Sequence, residues 1–141
     1  HALQSRGECT LLAVTSTKDN DFSAPYCNLV NHFYKRGEIP VGAVRNGKTP
    51  EDSKYVRIPV EAKDGDTFRY PRSLNSGKEA PEAVALLRKT LAAQPDNSVL
   101  MVVVGFSTNI ARLLDTPGDD EVGRADPHHR FTHFQRCSSF P

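Results

Sequence analysis

The stretch that most constrains this chain is Val99–Gly105, read VLMVVVG, in which seven residues are apolar without a break. A β-branched run with no polar alternation suits a strand buried on both faces, as in a parallel sheet between helices. Gly105 interrupts the run. Ser107 or Thr108 then caps a helix whose Ile110, Leu113 and Leu114 recur at i, i+3 and i+4. Strand, tight turn and helix in this order imply an α/β fold, and in open α/β sheets ligands bind at the carboxyl ends of the strands. On physical grounds alone, a core strand with its connector is the simpler reading of the stretch.

The chain of 141 residues is one domain's worth and can bury a substantial core. Its 18 Lys and Arg nearly balance its 17 Asp and Glu, so neither nucleic acid nor an anionic membrane surface is expected as a partner. No apolar run approaches the roughly 20 residues that span a bilayer, and the start, at His1, has no signal-peptide pattern. Cys9, Cys27 and Cys137 are scattered and odd in number, which suits buried thiols in a reducing, cytoplasmic compartment better than a disulfide framework.

Around the opening stretch the elements alternate. His1–Arg6 reads as the tail of a helix, ended by a left-handed Gly7. Cys9–Ser16 is an apolar strand running into the polar segment Thr17–Asp21. Ser23 and Pro25 start a helix with Tyr26, Leu29, Val30, Phe33 and Tyr34 on one stripe, closed by Gly37. Ile39–Val44 is a second strand, which completes a right-handed βαβ unit. Arg45–Ser76 reads as a long surface loop, with an extended hint at Tyr55–Val60; loops beyond about 12–15 residues tend to be functional or disordered. Within it Phe68–Leu74 sets two aromatics and two arginines together, either to contact an anionic or planar ligand or, more simply, to anchor the loop. Ala80–Ala93 is a helix with Ala83, Leu86, Leu87, Thr90 and Leu91 inward and Arg88 and Lys89 opposite. Its start is contested: Ser76 and Glu79 mimic a capping box, whereas Pro81 suits the first helical position, and Pro81 is preferred. Asp115–Asp120 is an acidic break, and residues 121–141 show neither helical nor strand period.

Two segments carry a family resemblance. Val103-Val104-Gly105-Phe106-Ser107-Thr108-Asn109-Ile110-Ala111 resembles the Gly-Pro-Leu-Thr-Asn-Ile-Ala segment of the nucleoside hydrolases, the inosine/uridine-preferring N-ribohydrolases, with Phe106 and Ser107 in place of Pro and Leu. Leu12-Ala13-Val14-Thr15-Ser16-Thr17-Lys18-Asp19-Asn20 is similar to that family's Gly-Ile-Thr-Thr-Val-x-Gly-Asn. The resemblance spans 1–120, as a partial nucleoside hydrolase-like domain, and leaves 121–141 as an unmatched, disordered tail. It implies a three-layer, Rossmann-like, mainly parallel sheet flanked by helices, here incomplete. It also implies a hydrolase that splits the N-glycosidic bond of ribonucleosides to base and ribose, with calcium held by an aspartate cluster.

Calcium takes six to eight hard oxygen ligands and lowers the pKa of its bound water. The family's Asp-x-Asp-x-x-x-Asp-Asp segment is absent from this sequence; Asp115, Asp119 and Asp120, in the turn after a helix, do not replace it. Two positions do carry over. Asn20 matches the asparagine beside the ribose, and Val104 matches the residue whose main-chain carbonyl ligates calcium. A lone carbonyl and a lone amide do not hold calcium, so the chain is expected to bind none and to be inactive. The alternative is a non-catalytic ribose-binding or protein-interaction module. His128, His129, His133 and Cys137 have a spacing that can gather around zinc, but without a paired Cys-x-x-Cys adventitious or no binding is preferred.

Overall fold

Val41–Ala43 (β2) is buried throughout and lies parallel to Val14–Ser16 (β1), with Val14 opposite Val41 and Ser16 opposite Ala43. The computed structural model describes residues 1–117 and 134–136. The chain runs from Ala2–Ser5 (α1) through β1 to Ser23–Phe33 (α2) and β2. It continues through Lys54–Glu61 (α3), the hairpin Lys63–Asp64 (β3) and Thr67–Phe68 (β4), and a 3-10 turn at Gly77–Glu79. Ala83–Ala92 (α4), Met101–Val103 (β5), Thr108–Asp115 (α5) and Phe134–Arg136 (β6) complete it. The protein is therefore a small α/β protein with short parallel and antiparallel strands.

Among the described residues the strands pair two by two: β1 with β2 in parallel, β5 with β6 in parallel, β3 with β4 antiparallel. β1 shares no ladder with β5. The strand read at Cys9–Ser16 contracts to its last three residues, and Cys9 is exposed. β5 departs from two-sided burial. Met101 faces a core of Val84, Leu91, Ile110 and Leu113 supplied by α4 and α5, but Leu100, Val102 and Val104 are 59%, 60% and 80% exposed. The helices cover one face of the strand only.

A second core joins Ala24, Val41, Ala43 and Ala80. α4 links the two, since its Ala83 and Leu86 press on Gly42 while Val84 and Leu91 face β5 and α5. The inward face of α2 differs from the aromatic stripe read in the sequence. Ala24, Asn28 and Asn31 are buried, whereas Phe33 is 74% exposed. Small and amide side chains are selected there because the neighbouring loops offer backbone hydrogen bonds. The Asn28 Oδ1 accepts from Ser73 N (2.7 Å), Ser73 Oγ (3.1 Å) and Leu74 N (3.1 Å), and the Asn31 Nδ2 donates to Ile39 O (3.0 Å). The left-handed residue after α2 is Lys35, at φ 57°, rather than Gly37. Gly37 gives room to the His32 ring, which a Cβ there would force to shift.

The segment read as a loop holds α3 and the hairpin. α3 replaces the extended hint because Val56, Pro59 and Val60 turn inward at i, i+3 and i+4 while Tyr55 and Ile58 point outward. Neither start signal opens α4, and Pro81 is not its first residue. Ser76 Oγ accepts from Lys78 N (3.1 Å) to cap the 3-10 turn. α4 instead begins at Ala83, its cap Glu82 accepting from Ala85 N (2.8 Å), and Pro81 lies before it. Asp119, Asp120 and the zinc candidates His128, His129, His133 and Cys137 lie outside the described residues. So does most of 121–141; its residues Phe134–Arg136 form β6, where the pattern shows no strand period.

Candidate functional site

The polar segment after β1 and the turn after β5 meet at one edge, beyond the carboxyl ends of both strands. The Asn109 Nδ2 in the first turn of α5 donates to Ser16 O (3.1 Å), a bond across 93 positions of sequence. Gly105 permits the approach, since a Cβ there would lie 2.9 Å from Thr17 Oγ1. Asn109 is 1% exposed, and its Oδ1 is buried without a donor. A buried acceptor left without a donor costs about 1–3 kcal/mol.

The rest of the edge is knit by two arginines. The Arg112 guanidinium, projecting from α5, donates to Arg45 O and to Asn46 O (2.8 Å). The Arg45 guanidinium in turn donates to Gly77 O (3.1 Å) and Ala80 O (2.6 Å). These planar forks tie α5 to the loop after β2, and that loop to the segment Gly77–Ala80. Asp19 Oδ2 accepts from Gly47 N (2.7 Å), and Asp21 Oδ1 accepts from Ser76 Oγ (2.9 Å). Both carboxylates are turned to neighbouring loops.

Asn20 stands on this edge with its amide engaged at both ends. Its Oδ1 accepts from Phe22 N (3.1 Å), Ser23 N (3.0 Å) and Ser23 Oγ (2.7 Å), which caps α2, and its Nδ2 donates to Glu51 O (3.1 Å). Val104 immediately precedes Gly105 and is exposed. The two therefore belong to the same edge but to different loops. Among the described residues no three His, Cys, Asp or Glu side chains come together as a metal site. Among the described residues a calcium ion at Val104 O would find one neutral carbonyl and no carboxylate cluster, which does not fit the ion.

Asn109, Arg45 and Arg112 were not singled out from the sequence. An asparagine in a helix and arginines beside loops carry no signal until the chain is folded; only the position of Asn109 just behind Gly105, at a strand's carboxyl end, points to it. No family model matches the chain, and no curated protein or solved structure is significantly similar to it.

Proposed function

We propose that the chain carries part of a nucleoside hydrolase-like scaffold of the three-layer, Rossmann-like kind, with a ribose-contacting edge but no hydrolytic centre of its own. The observation that supports this reading most is the Asn109-to-Ser16 hydrogen bond, which joins the two segments of family resemblance at one carboxyl edge. The ligand class is a ribonucleoside, which the resemblance of the two segments at this edge implies. Hydrolysis needs an activated water and a base to take its proton. Asp19 and Asp21 are hydrogen-bonded to neighbouring loops, and the described residues offer no carboxylate cage for a metal that would activate water. The purified chain, given inosine or uridine with millimolar calcium, is expected to release no free base above a boiled control. Chelator-sensitive turnover would overturn the reading.

A second reading, a protein-interaction module on the same scaffold, is favoured by the engagement of Asn20 in the α2 cap and by the exposed face of β5. Ribose titrated into labelled protein separates the two. Shifts at Thr17–Asn20 and Gly105–Asn109 support the ribose edge, and their absence supports the interaction module.

A further inference from the structure

The β3–β4 hairpin assembles an arrangement separate from the carboxyl edge. Gly65, at φ 63°, takes the first position of its two-residue turn, so Lys63 is paired directly across from Phe68. The Lys63 Nζ lies 5.1 Å from the centroid of the Phe68 ring, and the Arg72 Cζ lies 3.7 Å from the same centroid. Two cations thus share one aromatic platform. The third cation nearby, Arg69, is neutralised by Asp64 at 2.7 Å. Lys63 has no carboxylate within ion-pair distance among the described residues, and neither does Arg72. The charge of Glu79 acts on Arg72, and its Oε2 accepts from Asn75 N (2.8 Å).

The Nε and Nη1 of Arg72 are buried and have no acceptor. Buried guanidinium N–H groups without a partner are rare and call for one that the described chain does not contain, such as a bound ion. Desolvation acts in the same direction, holding the Arg72 pKa below its ordinary value. The group that remedies both is an oxyanion. Arginine's fork matches two oxygens at once, and lysine supplies a second point charge to a doubly charged group better than to a singly charged one.

We propose that Lys63 and Arg72, held on the Phe68 ring, form a binding site for a phosphate group. The proposal is independent of the nucleoside reading, because the hairpin takes no part in the carboxyl edge. The test is a titration of the full isotope-labelled chain with inorganic phosphate at constant ionic strength, following the Arg72 Nε–H resonance and the amides of residues 62–72. A saturable shift centred on Arg72 is expected, absent in Arg72→Gln and about tenfold weaker in Lys63→Gln, the loss of one charge-assisted contact. Lys63 is exposed, so its variant keeps the test valid even if Arg72→Gln disturbs the hairpin. Acetate at the same concentration is expected to produce at most a weak, unsaturated shift. No saturation with phosphate, an unchanged titration in Lys63→Gln, or equal binding of acetate would each overturn the proposal.

Discussion

Cys27 and Asn28 are adjacent on α2 and show two ways in which a polar side chain survives burial. Asn28 is 3% exposed and satisfies one oxygen with three donors from Ser73 and Leu74. Cys27 stays neutral: burial pushes its thiol up to about 11 from an ordinary 9.0. The sign of the consequence follows from linkage. The unfolded thiol gives up its proton first as the pH rises, so the contribution to stability is complete below pH 9.0 and is lost between there and about 11. The loss amounts to roughly 1.4 kcal/mol per pH unit across that window. Urea midpoints measured on both sides of it are expected to fall more steeply for the wild type than for Cys27→Ala. At neutral pH, iodoacetamide should alkylate the exposed Cys9 and spare Cys27 until the protein is unfolded.

Helix α4 depends at its start on Glu82, whose carboxylate accepts from Ala85 N at 2.8 Å while the backbone of Glu82 is still extended. Replacing it by Ala removes the cap and is expected to cost about 1 kcal/mol in a urea titration. Because α4 packs against both cores, that loss should appear as one cooperative transition and not as local fraying. The same element shows how far the sequence could be read. Its inward positions Ala83, Leu86 and Leu91 were legible from period alone, as were Ile110 and Leu113 of α5, since apolar spacing reports directly on burial. Its first residue was not, because Ser76, Glu79, Pro81 and Glu82 are all good helix-start residues within seven positions. Only the fold assigns Ser76 to the 3-10 turn and Pro81 to the sheet edge, where its carbonyl accepts from Ala43 N (2.9 Å). α3 is hard to read in the sequence because outward Tyr55 and Ile58 mask the Val56–Pro59–Val60 stripe. The Gly65-Asp66 pair of the hairpin turn is a Gly-first turn signal legible in the sequence. At the carboxyl edge, the place was legible but its fastenings were not, since the hydrogen bonds of Asn109, Arg45 and Arg112 to distant backbone carbonyls leave no periodic trace.

Across the whole molecule, cohesion comes from two small cores and one shared helix, not from a continuous ladder. The β1–β2 pair and the β5–β6 pair are linked at their carboxyl edge by side chains reaching to backbone carbonyls, Asn109 to Ser16 and Arg112 to Arg45 and Asn46. A ladder breaks residue by residue and resists opening along its length; a seam of two side chains opens as soon as both let go. Native-state hydrogen exchange should register that difference. Amides within α2 and β2 are expected to exchange with one free energy and those of α5 and β5 with another, α4 following the higher of the two. Arg112→Lys, which keeps the charge and loses the fork, should lower only the smaller value. A single common free energy for all five elements, unchanged in that variant, would mean that the seam is no weaker than the cores. If the two values differ, the chain has a built-in order of opening: the turn that carries Val104 and Gly105 parts from Thr17 while each half is still folded.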